Sequence, residues 1–152
     1  QSGPQWCILK TGLFDDAYRG IDFQFEGNQI TVGDKSEAVT GQLKFDASSQ
    51  YDKQTEHLLF TPMFKADNAR VFDFELEAAT GVSQFAERLF ISATADGSNY
   101  GREQMIDANA PFIYDKRVLW RRIGRVRKNI GFKVRVITRS PVTLSGCSIR
   151  VE

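Results

Sequence analysis

Catalytic chemistry in this sequence would depend on one histidine. His57 is the only histidine in 152 residues, and it precedes the apolar run Leu58-Leu59-Phe60. Any Ser-His-Asp or Cys-His arrangement would have to include it, and a histidine beside an apolar strand pattern is more often structural. One histidine and two distant cysteines also provide too few ligands for a zinc site. Because glycine-rich phosphate loops that open a helix are missing as well, we predict a non-enzyme with no metal and no cofactor.

Three carboxylates deserve comparison with the acid pair of a glycosidase. Asp73, Glu75 and Glu77 alternate with apolar residues, so on a strand they share one face with neighbours about 6–7 Å apart. That spacing is compatible with a catalytic pair or a calcium site. It is equally typical of an ordinary solvated sheet face, which is the interpretation we favour.

The most distinctive feature is a dense cationic segment near the end of the chain, interleaved with Trp120, Phe132 and several aliphatic residues. The candidate interface or channel residues in it are Arg117, Arg121, Arg122, Arg125, Arg127, Lys128, Lys133, Arg135 and Arg139. Guanidinium groups bind carboxylates and phosphates with paired hydrogen bonds. The segment therefore predicts contact with an acidic protein surface or with DNA, and the alternative is pairing within the monomer or simple exposure to water.

The strand pattern around Lys133 and Arg135 sharpens this prediction. Both alternate with Phe132, Val134 and Val136, so the apolar set should face the core while the cations line an outward face. We expect that face to be strongly cationic.

Charge is distributed unevenly along the chain although the net charge is only +1. Residues 1–112 carry 9 basic and 17 acidic side chains, whereas residues 113–152 carry 11 basic and 2 acidic ones. The acidic part is therefore itself a candidate partner for the cationic segment, within one chain or between copies.

Period-two alternation predicts β-strands along most of the chain. Ile21–Phe25 and Gln29–Val32 flank Gly27-Asn28, which predicts a hairpin. In Val71–Glu77 the apolar side chains Phe72, Phe74 and Leu76 are predicted to face the core. Further strands are predicted at Trp6–Leu9, Val39–Phe45, His57–Phe60, Arg88–Thr94, Val118–Ile123, Phe132–Thr138, Val142–Leu144 and Ile149–Val151.

About ten short strands without sustained helical periodicity predict an all-β fold, an antiparallel β-sandwich of jelly-roll type. The sequence is also compatible with a short helical turn near Asp15 or Ser83. The alternative is part of a β-propeller, because Ala95–Ser98 closes a hairpin and propellers repeat hairpins. No repeat of fixed period is evident, which favours the sandwich.

Length and composition predict one β domain over residues 1–152. The chain begins with Gln1 rather than Met, so we expect that it was either processed or cut from a longer protein. No stretch is long and apolar enough to span a bilayer. Cys7 and Cys147 are either a terminal disulfide or two free thiols, and a chain of this length favours the second.

The segment from Tyr114 to Arg127 resembles the packaged-DNA stabilisation proteins, or tail hub proteins, of Lederbergvirus-type short-tailed phages. Those proteins share a Trp-Arg-Arg-x-Gly-Arg-x-Arg core, and the stretch from Leu89 to Gly101 is also similar to theirs. The positions that match the core and its flanks are Asp115, Arg117, Trp120, Arg121, Arg122, Gly124, Arg125, Arg127, Phe132, Arg135, Pro141 and Val142. The resemblance covers about the last 70 residues, so it implies the C-terminal part of a longer tail hub protein.

The resemblance implies a structural protein of the virion tail, assembled in the host cytoplasm. Such proteins form a ring below the portal, expected to be a hexamer, that closes the channel, stabilises packaged DNA and later forms part of the DNA exit path. The implied partners are other copies of the chain, the head-to-tail adaptor, the tail needle and the tailspike, with transient contact to DNA. It supplies no catalytic residues. Two alternatives remain, a nucleic-acid-binding β module and a carbohydrate-binding tail domain.

Overall fold

Short antiparallel strands make up most of the chain in the computed structural model. The structure describes residues 9–13, 17–44, 47, 49–51, 53–79, 87–109, 116–139 and 142–152. Their twelve strands are β1 (Gly20–Glu26), β2 (Gln29–Asp34), β3 (Thr40–Leu43), β4 (Ser49–Gln50), β5 (Lys53–Phe60), β6 (Phe64–Lys65), β7 (Arg70–Ala79), β8 (Glu87–Thr94), β9 (Gln104–Asn109), β10 (Val118–Arg125), β11 (Asn129–Thr138) and β12 (Thr143–Val151). None of these described segments forms a helix of the length and apolarity that crossing a bilayer would require.

The strands form three antiparallel sheets. A large sheet has the order β4-β5-β11-β8-β9, with β6 also pairing β11, and a smaller sheet has the order β10-β7-β12. A third sheet, β1-β2-β3, comes from the first part of the chain. Strands β10 and β11 lie in different sheets and are not paired with each other, so the connection between them crosses from the small sheet to the large one.

Aromatic packing between the large and the small sheet forms the core. Phe74 of β7 lies with its ring centre 4.4 Å from Phe132 of β11, and 6.0 Å from Trp120 of β10. All three side chains are buried, and full burial of such a side chain contributes about 1.5–3 kcal/mol. This face-to-face packing of two antiparallel sheets is a β-sandwich, which confirms the predicted fold class.

The N-terminal sheet confirms the predicted hairpin. Strands β1 and β2 are joined by the Gly27-Asn28 turn, where Gly27 has a φ of 61° that suits a residue without a Cβ. Asp22 also has a positive φ, 47°, and the register shifts there, so it is the extra residue of a β-bulge in β1.

The predicted alternation in β7 is correct for two of its three apolar residues. Phe74 and Leu76 are buried, but the third buried position is Val71, and Phe72 is only half-buried. In the ladder with β12, Arg150 pairs with Asp73 and the next residue, Val151, pairs with Val71. Phe72 is therefore an extra residue of β7 without a partner in this ladder. This bulge turns Phe72 away from the core, which a strict two-residue period cannot anticipate.

Other predictions differ at the strand ends. Val142–Leu144 and Ile149–Val151 belong to one strand, β12, because Ser145-Gly146 forms a bulge rather than a break. Strand β9 was not predicted, since Gln104 and Met105 interrupt its apolar alternation. The predicted strand Trp6–Leu9, apart from Leu9, and the helical turns near Asp15 and Ser83 lie outside the described residues.

The cysteine prediction is tested at one position. Cys147 is a half-buried free thiol on β12, and burial raises the pKa of its thiol. Cys7 lies outside the described residues.

Candidate interaction surface on the arginine-bearing strands

The β10–β11 connection is held in place by backbone hydrogen bonds. The Val126 N–H donates to the Ala69 carbonyl at 2.9 Å, and the Ala66 N–H donates to the Lys128 carbonyl at 2.8 Å. Asn68 adds a third bond by donating to the Arg127 carbonyl at 2.9 Å. The buried side chain of Val126 fixes the same connection to the core. The β10–β11 connection therefore forms a defined surface and not a loose loop.

A bulge in β10 changes which way its arginines point. Between Arg121 and Gly124 the register with β7 shifts, Arg122 has a φ of 60°, and Gly124 has a φ of 125°. In a regular strand the adjacent residues Arg121 and Arg122 would face opposite sides. With the bulge, both are exposed.

The β10–β11 connection and the adjoining end of β10 present five exposed cations, which we call the cationic tip. Its members are Arg121, Arg122, Arg125, Arg127 and Lys128. Within the part of the chain that the structure describes, no acidic side chain lies within the 4.0 Å ion-pair distance of any of them. A groove of about 400 Å³ runs beside the tip, and its lining includes Ile123, Val126 and Ile130. The tip thus combines uncompensated positive charge with an apolar groove.

Lys133 and Arg135 face outward as predicted, but their face is not strongly cationic. Two Arg135 nitrogens contact the two Glu103 oxygens at 3.1 and 2.5 Å, and a third lies 3.4 Å from Glu56. Lys133 Nζ lies 3.6 Å from Glu103. The prediction of a strongly cationic face on β11 is wrong because carboxylates from β5 and from the segment just before β9 neutralise it.

This cluster is also packed. The Arg135 guanidinium lies 4.1 Å above the centre of the Phe90 ring, a cation–π contact that fixes its plane. Hydrogen bonding from Arg135 lowers the pKa of Glu103, and hydrogen bonding to Glu103 raises the pKa of Arg135. Both groups are therefore charged over the ordinary pH range, and the cluster is structural.

The two remaining candidate cations also have partners within the chain. Arg117 forms a two-point ion pair with Glu75, with Arg117 Nη2 2.6 Å from Glu75 Oε2, and this pair lowers the pKa of Glu75. The backbone N–H of Arg139 donates to the buried Glu87 carboxylate at 3.1 and 3.2 Å.

The carboxylate row on β7 is largely an ion-pair row. Besides the pair between Glu75 and Arg117, Asp73 pairs with Arg150 on the neighbouring strand β12. Glu77 remains exposed at the end of the row. Since two of the three carboxylates are bound by guanidinium groups, the row is better suited to holding β7 between its neighbours than to acid–base catalysis.

The side-chain partner of His57 is a hydroxyl group, and no acidic partner is seen among the residues that the structure describes. Its Nε2 lies 3.1 Å from Thr55 Oγ1 on the same strand. Among the described residues, no group of three or more His, Cys, Asp or Glu side chains is placed to hold a metal ion.

Sequence reasoning missed several residues that complete these contacts. Arg150 and Arg70 both stack on the Phe72 ring, with guanidinium carbons 5.7 and 4.9 Å from its centre. Glu56 and Glu103 neutralise β11. The pairing of β12 with β7, which sets Arg150 directly opposite Asp73, would have been the signal for Arg150.

Comparison with known proteins agrees with this architecture. Residues 56–152 match the family model described as bacteriophage P22 Gp10, beta-sandwich. The chain belongs to the bacteriophage P22 Gp10 family. Residues 1–48 match the companion model, bacteriophage P22 Gp10, beta-propeller. The tail hub protein gp10 of Salmonella phage P22 is 76% identical to the chain over all 152 residues.

Family membership confirms the resemblance on which the sequence analysis relied. The alignment includes the whole chain but only 32% of the length of that relative. The chain therefore corresponds to part of a longer Gp10 protein. The two family matches divide it between residues 48 and 56, a division that coincides with the separate β1-β2-β3 sheet. One domain over residues 1–152 stays a prediction.

Proposed function

We propose that the chain is part of a structural tail protein of a short-tailed phage, a tail hub without catalytic activity. The observation that carries this proposal is its 76% identity over 152 residues to a protein named as a tail hub. The ion-paired carboxylate row and the hydroxyl-bonded His57 agree with a role in contact rather than catalysis.

In finer terms, the longer protein forms a ring below the portal. The ring closes the channel, stabilises packaged DNA and later forms part of the DNA exit path. Its partners are other copies of the chain in a hexamer, the head-to-tail adaptor, the tail needle and the tailspike, and its contact with DNA is transient. It belongs to the virion tail and assembles in the host cytoplasm.

The cationic tip is the candidate contact between subunits. Its five cations have no acidic partner among the described residues, whereas Arg117, Lys133 and Arg135 do. Arginine next to apolar surface is typical of interface cores. The tip therefore fits an acidic surface of a neighbouring subunit better than bulk water.

A nucleic-acid-binding module is the second candidate, and it is favoured by the same free cations. Binding of single strands usually adds aromatic stacking to charge, but Trp120 is only 4% exposed and Phe132 is fully buried. A channel wall that bound many phosphates would also slow the exit of DNA. Both considerations favour a protein partner.

The test uses the longer protein with Arg125→Glu and Arg127→Glu combined, and Arg88→Glu as the matched control. Arg88 is an exposed arginine on β8 that pairs with Ile137, at the end of β11 remote from the tip. Electron microscopy would score ring formation and docking on heads that carry packaged DNA, together with genome retention. We expect the double variant to lose most docking and the control to behave as the unaltered protein.

Two results would contradict this assignment. Normal rings and docking in the double variant, together with loss of salt-sensitive DNA binding, would favour the nucleic-acid module. Failure of the unaltered protein to dock at all would contradict the tail hub proposal itself.

A further inference from the structure

The N-terminal sheet has an apolar face that is covered at one end and bare at the other. Directly opposed residues of antiparallel strands share a face. The pairs Phe25 with Ile30 and Phe23 with Val32 therefore place four apolar side chains on one side of the sheet. Leu43 of β3, opposite Ile30, continues the same face.

The β3 end of this face is already part of an internal contact. Val32 and Leu43 line a cavity of about 330 Å³ together with Tyr18 and with Thr55 and His57 of β5. The sandwich and the segment before β1 thus cover this end. The face is therefore one that the fold uses for packing.

The β1 end is uncovered. Phe23 and Phe25 are 68% and 67% exposed, and their rings touch each other edge to face at a centre distance of 5.7 Å. Two adjacent phenylalanines that contact mainly each other are unusual on a free surface, because aromatic side chains normally bury about 150–250 Å² each. Strand β1 also pairs only with β2 among the described strands, so its outer edge is open as well.

We infer that Phe23 and Phe25 pack against a further antiparallel sheet of the same β-propeller, supplied by the longer protein. Residues 1–48 match a β-propeller family model, and propellers are built of blades arranged side by side around an axis. Residues 1–48 hold three of the described strands, fewer than the four of a single blade, and the chain spans 32% of its P22 relative, so a further sheet of the propeller would come from the rest of the longer protein. The inference rests on the family match and not on the proposed function.

Continuity favours this occupant over a second copy or another tail protein. The bare phenylalanines extend a face whose other end is buried within the chain, so the next layer continues an intramolecular core.

The experiment labels cysteines in the longer protein with a maleimide and reads each site by peptide mass spectrometry. Phe23→Cys is compared with Val39→Cys, which lies between β2 and β3 and is 46% exposed. Peptide resolution separates both sites from Cys7 and Cys147. We expect labelling at position 23 to be at least about tenfold slower than at position 39, at protein concentrations low enough to keep the protein monomeric.

Other outcomes overturn the inference. Protection that appears only as the protein concentration rises would assign the face to a second copy. Protection that appears only in assembled tails would assign it to another tail protein. Equal labelling at both positions in every state, together with strong oxidation of both phenylalanine rings in the unsubstituted monomer, would leave it a free surface.

Hydroxyl-radical footprinting of the unsubstituted protein guards against a disruptive substitution. Protected Phe23 and Phe25 in the monomer support the packing even if Phe23→Cys labels quickly, because the substitution would then have opened the contact. Strong oxidation of both rings in the monomer contradicts it. Neither reading depends on ring assembly, so this test and the docking test can fail independently.

Discussion

At the residue scale, Glu103 controls the charge of the outer face of the large sheet. It accepts two hydrogen bonds from Arg135 and lies 3.6 Å from Lys133. These contacts lower its pKa below the ordinary value of 4.5. A carboxyl group whose pKa is lower in the folded state stabilises the fold above the unfolded-state pKa, and this stabilisation is lost as the pH falls through the folded-state pKa.

Replacing Glu103 by glutamine therefore has a pH-dependent effect. We expect Glu103→Gln to lower the free energy of unfolding at pH 7 by about 1–2 kcal/mol, because Arg135 loses a charged hydrogen-bond partner. At pH 3, below the ordinary pKa of 4.5, the unfolded chain binds a proton at Glu103 that the folded state resists, so the difference should shrink. Urea unfolding at the two pH values measures it.

Glu26→Gln is the matched control, since Glu26 is exposed and forms no ion pair with any other described residue. It should leave the free energy of unfolding unchanged at both pH values. An equal loss from Glu103→Gln at pH 3 and pH 7 would mean that packing, and not charge, explains the effect.

The outward direction of Lys133 and Arg135 could be predicted from the sequence, but their partners could not. The two-residue period of a strand determines which face of the sheet each side chain points to. Glu103 and Glu56 are 32 and 79 residues from Arg135, so only the strand order brings them together. Free and paired arginines therefore look alike in the sequence.

At the element scale, the bulge in β10 determines the shape of the cationic tip. Gly124 has a φ of 125°, a region that side chains with a Cβ rarely adopt, yet a Cβ built there would meet no atom within 4 Å. Any cost of a substitution would thus come from the backbone and not from a clash.

Gly124→Ala should therefore destabilise the sandwich by about 1–2 kcal/mol through backbone strain alone. Arg122 has a φ of 60°, so Arg122→Gly should keep the free energy of unfolding within about 0.5 kcal/mol or raise it slightly. Thermal unfolding measures both variants.

Gly41→Ala is the control for an added methyl group. Gly41 lacks a positive φ, and its Cβ would meet only Val32 at 3.9 Å. A loss at Gly41 equal to that at Gly124 would show that the methyl group, and not the bulge, is responsible.

Strand positions could largely be predicted from the sequence, and bulges could not. The hairpin of β1 and β2 and the core positions Phe74 and Leu76 follow from alternation and turn residues. The half-buried Phe72 and the continuous strand β12 depend on how neighbouring strands pair. A bulge adds one residue to a strand and so reverses the inward and outward alternation beyond it, but the residue types of the strand give no sign of this change.

At the scale of the whole molecule, ion pairs connect the N-terminal sheet to the sandwich. Lys10 pairs with Glu56 of β5, which also contacts Arg135. Arg19 binds Asp34 at 2.7 Å and lies 4.6 Å from the ring centre of Tyr51, next to β4. The pair of Lys10 and Glu56 joins the two family matches, and the contact of Arg19 with Tyr51 joins the first match to the segment between them.

Breaking one link should loosen the N-terminal sheet selectively. We expect Arg19→Met to increase amide exchange several-fold in β1, β2 and β3, with β8 and β11 unchanged, since local stability follows local contacts. Hydrogen–deuterium exchange of the longer protein with mass spectrometry resolves these strands.

Lys65→Met is the control, because the exposed pair of Lys65 and Asp67 lies within one turn. It should change neither group of strands. Faster exchange in β8 and β11 after Arg19→Met would mean that Arg19 supports the whole fold.

The uneven charge along the chain predicted that acidic residues of the first part would pair with the cationic segment. It did not predict which cations would be paired within the chain and which would remain without an acidic partner. Acidic residues from the first part of the chain neutralise Arg117, Lys133, Arg135 and Arg150. The five cations of the tip have no such partner among the described residues. Asp73 stands opposite Arg121 in the ladder of β7 and β10 but pairs with Arg150 on the other side of β7, so strand neighbours alone do not decide which cations are neutralised.

The position of the tip between two sheets has a mechanical consequence. β10 is bonded to β7 in the small sheet, and β11 is bonded to β5 and β8 in the large sheet. Antiparallel hydrogen bonds run perpendicular to their strands, so a pull on the tip along the strands loads both ladders in shear. Many backbone hydrogen bonds in both ladders would have to break together before β10 and β11 could slide out. This end of the domain is therefore suited to anchoring a contact that bears force.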